Sequence, residues 1–310
     1  MRPGYLTSAY STMISEGFAS GTSRLRLVFF LFFLWVLAAA LPSHGAGAAR
    51  EETGAPAARH AKAFPFDRGE SVVYRGSWIG IPVASAEIQT TPLLINGRKY
   101  YHARVRASTW KYLELIWKMR DFVESVFDSE TMQPRRFVFR QRENRKKTDT
   151  TATFDPDSKK WTVRRREGAK VKDFEFVSHS TLDPISAVYW ARSLDFKIGD
   201  TLRLEVFGGK SRYLVMLDVV GKEQVTVGDN SFDAYRIVPH VWNISGSGYA
   251  DRVREATVWI SADKGRRPLK IVTQVFIGSV SIELVEEKSL GAREVKDGGQ
   301  MGRAEKGTRG

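Results

Sequence analysis

The sequence predicts a mainly β protein: a single large antiparallel meander, curled into a barrel or a half-open clam, with one or two short helices. Three observations carry this. Apolar and polar residues alternate with period two through most of the chain, in segments rich in Val, Ile, Thr, Phe, Tyr and Trp. Short turn motifs separate these segments, among them Asn96-Gly97, Asp155-Pro156-Asp157-Ser158, Glu167-Gly168, Gly208-Gly209 and Asp263-Lys264-Gly265. Strands joined so tightly run antiparallel, because a parallel return needs roughly a dozen residues or more.

The first set of expected strands falls at 70–78, 83–90, 99–108, 119–128, 135–143, 148–154, 160–166 and 171–177. A second set follows at 201–207, 211–221, 232–242, 254–262, 267–276 and 279–287. So many strands do not stay flat and open; the sheet curls into a barrel or clam, or splits into two packed sheets. Two helical pieces interrupt it, one at 109–117 (TWKYLELIW) and one that begins inside His179-Ser-Thr-Leu-Asp-Pro-Ile-Ser186.

That second run holds a histidine, an aspartate and a serine within eight residues, which raises the question of a hydrolase triad. A triad needs the histidine between acid and nucleophile, and an oxyanion hole beside the nucleophile. No G-x-S-x-G elbow surrounds Ser186. A helix start explains the same residues together: Asp183 at the N-cap, Pro184 at the first helical position, and Ser186 at the third, where its N–H meets the Asp183 carboxylate.

The chain ends read differently. Arg24 and Arg26 precede the apolar run Leu27 to Leu41, and small residues including Ala46-Gly47-Ala48 follow, so 1–48 is expected to be a cleaved signal peptide. An uncleaved membrane anchor is the alternative, although the run is shorter than the roughly 20 residues a spanning helix needs. Residues 49–63 read as a linker, 64–289 as the folded β domain, and 290–310, poor in apolar residues, as a disordered tail. The expected location is periplasmic.

With 48 Lys and Arg against 35 Asp and Glu, the net charge is +13. For an exported protein such charge points to anionic phospholipid, lipopolysaccharide or acidic glycan rather than nucleic acid. The chain has no cysteine, which removes disulfides, thiolate metal sites and cysteine nucleophiles. His60, His102, His179 and His240 lack metal-ligand spacing, and nothing singles out a catalytic pair among Glu87, Asp121, Glu124 and Asp128. No catalytic residue, metal or cofactor is expected.

The strongest polar feature is the basic segment 135–172. Arg136, Arg140 and Arg142 share one strand face with Val138, opposite Phe137 and Phe139. Lys160, Thr162, Arg164 and Arg166 likewise oppose Trp161 and Val163. Either a cationic binding surface or a solvated outer face that guards against edge pairing accounts for this pattern. Trp110, Tyr112, Leu113, Ile116 and Trp117 form an apolar run that fits core, a lid, or a membrane-touching patch.

A set of short motifs in order carries a family resemblance: Gly69-Glu70 with Val73-Tyr74, Trp78-Ile79-Gly80-Ile81-Pro82-Val83-Ala84, Arg120-Asp121 with Phe127-Asp128 and Pro134, Leu182 to Ala187, Trp259-Ile260-Ser261-Ala262-Asp263 with Arg267-Pro268, and Ile277-Gly278-Ser279-Val280 with Glu283-Leu284. Over about 66 to 287 the chain resembles the domain-of-unknown-function family 3108. The resemblance implies an exported bacterial protein of predominantly β structure, and it hands over no catalytic residues.

The functional expectation is a non-enzymatic envelope protein that binds an apolar or lipid-linked anionic ligand in or on its curved sheet. Trp110, Tyr112, Trp117, Arg140, Arg142 and Arg164 are the candidate ligand-binding residues. A lipid or lipopolysaccharide-type molecule is the expected partner, with contact to the membrane surface. A hydrolase acting on envelope glycan or ester, or a scaffold for an envelope protein, is the alternative.

Overall fold

The computed structural model describes residues 64–290 apart from 65, 196, 246–255 and 276–277. The expected signal segment, the linker and nearly all of the tail lie outside the described residues. Fifteen strands form one sheet. The first eight are β1 (Glu70–Trp78), β2 (Ile81–Ile95), β3 (Arg98–Thr109), β4 (Arg120–Asp128), β5 (Pro134–Glu143), β6 (Lys146–Asp155), β7 (Lys160–Glu167) and β8 (Lys170–Val177). Then come β9 (Thr181–Leu182), helix α1 (Pro184–Arg192), β10 (Thr201–Phe207), β11 (Arg212–Val227), β12 (Asn230–Asn243), β13 (Ala256–Ser261), β14 (Pro268–Gln274) and β15 (Ser279–Ser289).

The sheet order runs from β8 down to β1 and continues through β15 down to β9. The chain therefore starts in the middle of the sheet, winds out to one edge, crosses to the other through β9 and α1, and winds back until β15 pairs with β1. Neighbours are antiparallel except the short β9, which lies parallel to β10. The strands alternate as the sequence predicts: in β5, Phe137, Phe139, Gln141 and Glu143 are buried, while Arg136, Arg140 and Arg142 face outward.

Two elements differ from expectation. The two-residue β9 is too short for its alternation to register. At 109–117 the helix shrinks to a 3-10 turn at Lys111–Leu113, whose Leu113 carbonyl accepts from the N–H groups of Ile116 and Trp117. Among the apolar residues of this run only Trp117 is buried, so no continuous apolar face rewards a longer helix.

Backbone pairing does not close the sheet, since no ladder joins β8 to β9. Side chains close it. Phe207 of β10 is fully buried among Phe174, Phe176 and Trp161, at ring-centroid distances of 6.3, 5.3 and 5.8 Å. The Arg212 guanidinium lies 5.0 Å from the Phe176 ring, and Gln133 donates to the Thr181 carbonyl at 2.8 Å. The half-open clam is thus the form adopted, with an aromatic seam.

Helix α1 begins as its residues predict. The Asp183 carboxylate accepts from the N–H groups of Ile185 and Ser186 at 2.8 and 3.0 Å, and the Asp183 N–H donates to the Ser186 hydroxyl at 3.0 Å. Ser125 of β4 donates to the second carboxylate oxygen at 2.5 Å, which fixes the helix start to the sheet. Ser186 is completely buried in this box and His179 is exposed, so the run is a cap and not a triad. Burial pushes the Asp183 carboxyl up to about 6, against the pull of Ser125 and the helix N–H groups.

Two outcomes follow from seam and cap. Phe207→Ala should cost about 3–5 kcal/mol in urea unfolding and speed amide exchange in β8 more than in β2. Because the folded protein binds more protons between pH 3.8 and about 6, Asp183 makes the fold more stable as the pH falls through that window. Asp183→Asn retains an oxygen acceptor for the cap and should lose this slope, whereas Asp183→Ala should lose about 1–2 kcal/mol throughout.

Candidate functional site

Helix α1 lies against the inner face of the sheet and divides the interior in two. On one side the core is aromatic: Phe66, Tyr101, Phe127, Phe137, Trp161 and Phe207 are essentially inaccessible, joined by Ile185 and Tyr189 of the helix. Large rings interlock there, with Phe66 5.3 Å from Tyr101 and 4.8 Å from Tyr189 between ring centroids. On the other side the sheet presents aliphatic residues such as Val206, Leu217, Ile237, Val258 and Ile271, and the helix answers with small ones, Ala187 and Ala191. Short side chains facing short side chains leave a gap.

A separate cleft of about 60 Å³ lies between α1 and the inner faces of β1, β2, β14 and β15. Val72, Ile88, Ile185, Val188, Ile271 and Ile282 supply most of its wall. A second void of about 20 Å³ lies between Ala187, Ala191 and the strands carrying Leu217, Ile237 and Val258. Val188, Arg192 and Pro268 border both voids, and Val188 is only half-buried.

The polar groups at the cleft wall are already satisfied. Arg192 and Glu70 form a buried bidentate ion pair, one arm of it 2.9 Å long. Arg192 also donates to the Gly265 carbonyl at 3.2–3.3 Å, and its guanidinium lies 5.0 Å from the rings of Phe66 and Tyr189. Tyr189 donates to Glu70 at 2.7 Å and shares a 2.5 Å hydrogen bond with Thr90. Tyr74 donates to the Pro268 carbonyl at 3.0 Å. Burial alone would raise the Glu70 carboxyl, yet the Arg192 charge and its hydrogen bonds hold it below the ordinary value. Burial raises both tyrosines, which stay neutral. The cleft can therefore accept hydrocarbon by shape; it offers no idle acid, base or nucleophile.

None of the six sequence-predicted ligand residues lines this cleft. Trp117 is buried in the aromatic half, while Trp110 and Tyr112 are exposed at one end of the sheet. Arg140, Arg142 and Arg164 stand on the outer face of β5 and β7. There Arg142 pairs with Asp149 at 2.6 Å, Arg164 lies 3.7 Å from Asp173, and Arg140 packs 5.6 Å from the Phe122 ring. The carboxylates considered for glycoside cleavage do not converge. Asp121 points inward and accepts from the Arg142 N–H at 2.8 Å, burial pushing it up to about 6. Glu124 faces outward toward His102 and Arg136, and Asp128 caps the turn at Glu130 and Thr131. Among the described residues no three His, Asp or Glu cluster as metal ligands.

Glu70 and Arg192 were missed as site residues, though a signal for them existed. Glu70 shares strand parity with Val72 and Tyr74, which predicts an inward carboxylate. Ser186, Tyr189 and Arg192 follow at spacing three along α1, so Arg192 sits on the same buried stripe. Arg192→Met should cost about 3–5 kcal/mol because it leaves a buried carboxylate unpaired. Adding Glu70→Gln, which still accepts from Tyr189, should recover much of that loss in urea titrations.

A crystal structure from Brucella abortus, described as a beta-barrel-like protein of the domain of unknown function DUF1849, aligns at TM-score 0.45 and 9% identity, covering 71% of this chain and 97% of that one. Another, described as a "putative lipoprotein" from Parabacteroides distasonis, aligns at TM-score 0.35 and 9% identity, covering 73% and 97%. No curated protein matches the chain. The family described as protein of unknown function, DUF3108, matches residues 73–285, well over half of the sequence, and the chain belongs to that family.

Proposed function

We propose that this is a non-enzymatic binding protein of the cell envelope, which takes a hydrocarbon chain of a lipid or lipid-linked molecule into the cleft beside α1. One observation carries the reading: both walls of the cleft are hydrocarbon, and every polar group at its edge already has a protein partner. The charged N-terminal stretch followed by the apolar run Leu27 to Leu41 supports delivery to the envelope. No helix among the described residues is long and apolar enough to cross a membrane.

Magnitudes restrict the mode of binding. Each buried methylene contributes about 0.8 kcal/mol, so micromolar affinity, about 8 kcal/mol, needs on the order of ten. A void of about 60 Å³ encloses only a few of them. The chain must therefore also use the smaller void behind Val188 and the open mouth beside Ile88 and Val188, both only partly buried. Recognition of an anionic head group by Arg140, Arg142 or Arg164 is not part of this reading, since those residues stand on the outer face of the other half.

Val188→Trp should fill the cleft. Titration with a fluorescent fatty acid should show at least a tenfold loss of affinity, while the urea midpoint shifts little because the mouth is open. Lipid copurified from an envelope extract should fall in parallel by mass spectrometry. Unchanged binding by this variant, or no binding by the parent protein, would refute the cleft as the site.

A further inference from the structure

The turns at one end of the sheet expose apolar side chains that the cleft does not use. Leu115 is 98% exposed, Ile81 58%, Ile79 54%, Tyr112 54%, Ile116 50% and Trp110 42%. They belong to one surface. The Trp110 N–H donates to the Val83 carbonyl at 3.1 Å, the Tyr112 hydroxyl donates to the Pro82 carbonyl, and the Trp110 and Tyr112 rings meet edge-on at 6.2 Å. The 110–118 segment is thereby held against the β1–β2 turn. A contiguous exposed patch of Trp, Tyr, Ile and Leu on turns is unusual for a protein surface facing only water.

The backbone pays to present one of these side chains. Ile79 has φ 49°, and Gly80 beside it has φ 77°. The equivalent turn between β2 and β3 places Asn96 at φ 50° before Gly97 at φ 75°. Asn tolerates that conformation, whereas a β-branched residue is strained in it. Backbone conformation alone favours Asn or Gly at position 79, where the Ile79 side chain instead lies over Gly278.

Cations flank the patch. Lys118 and Asn144 exchange hydrogen bonds of 2.7 and 2.8 Å, which join the apolar segment to the β5–β6 turn bearing the exposed Arg145 and Lys147. The Gly168 N–H donates to the Lys147 carbonyl at 3.2 Å and brings in the β7–β8 turn with Lys170. Lys111 and Lys210 are exposed at the same end. The acids Glu114 and Glu167 are occupied, Glu114 by Lys118 and Arg120, and Glu167 by Lys146. The described chain begins and ends at the opposite end, where the Leu290 N–H donates to the Gly69 carbonyl at 3.0 Å.

We infer that this end docks on the surface of a bilayer containing anionic phospholipid, with Ile79, Ile81, Trp110, Leu115 and Ile116 entering the acyl boundary and the basic turns meeting the phosphates. The chemistry fits on both counts. Aromatic and aliphatic tips partition at the headgroup boundary, and neighbouring Lys and Arg add electrostatic attraction that salt screens. The patch is formed by turns that present side-chain tips, the arrangement that suits a bilayer surface. Docking is independent of the cleft, and either can fail without the other.

The chain has no cysteine, so a single substitution gives a unique labelling site. Full-length protein carrying Leu115→Cys, labelled with an environment-sensitive dye, should show a blue shift with vesicles of phosphatidylcholine and phosphatidylglycerol, and little with phosphatidylcholine alone. A label at Ser231→Cys, in the β11–β12 turn region at the opposite end, should not respond. Arg145→Glu with Lys147→Glu should weaken the response by roughly tenfold or more. Ile79→Asn should melt no lower than the parent, because Asn suits the turn, and yet bind vesicles several-fold more weakly. A silent Leu115 label, an equal response from Ser231, or a shift that grows with protein concentration without vesicles would overturn the inference; the last would assign the patch to a second copy of the chain.

Discussion

An arginine placed among aromatic rings and aliphatic strands is stable only if its charge is met where it lies. Arg192 is met by Glu70 in bidentate geometry, by the Gly265 carbonyl, and by the faces of Phe66 and Tyr189. Taking two ions out of water costs several kcal/mol each, so an incomplete set of partners would expel the helix rather than hold it. The set is complete, and its members come from separate parts of the chain: Glu70 from the first strand, Gly265 from the turn before β14, and Arg192 from the last turn of α1. Because β1 sits at the middle of the fifteen-strand order, this one pair fixes the helix against the centre of the sheet.

The position of the helix then decides what each half of the interior becomes. One stripe of α1 meets rings and completes an aromatic core; another, with Ala187 and Ala191, meets aliphatic strands across a small void. The rings extend past the helix to Phe207, which crosses the unpaired seam and substitutes packing for the missing ladder. The voids of about 60 and 20 Å³ lie on the aliphatic side. Edge strand β8 is covered with charge, including Lys170, Lys172, Asp173 and Glu175, which discourages pairing with another sheet.

Surface charge follows a similar division. On the outer face of β5 to β8 the cations meet acids across neighbouring strands, as Arg142 does with Asp149 and Lys160 with Glu175 at 3.1 Å. Such exposed pairs add little stability, and Arg140 on the same face meets the Phe122 ring rather than an acid. At the turns and the strand ends beside them, Arg145, Lys147, Lys170 and Lys210 are exposed near apolar side chains, of which Ile79 has a positive φ. A net charge of +13 thus has a direction as well as a size.

Period-two alternation, turn residues and a helix cap are local properties, and they were legible. The strands, their antiparallel order, the outward arginines and the Asp183 box all follow from residues within a few positions of one another. The length of the 110–117 segment was not legible, because its apolar residues suit a helix and only the burial of Trp117 against distant strands selects the turn. Nor was the cleft, which lies where Ile185, Val188 and Arg192 of α1 meet Val72, Ile88, Ile271 and Ile282 from strands distant in the chain. The sequence by itself determined that a long curled sheet would form, which side chains would point inward, and that Glu70 would be among them. Tertiary structure alone decided that Glu70 would meet Arg192, 122 residues away, that β15 would close on β1, and that the basic turns would gather beside exposed Ile and Trp. The reason is physical: local patterns set the direction of a side chain, while its partner is chosen by long-range register and packing.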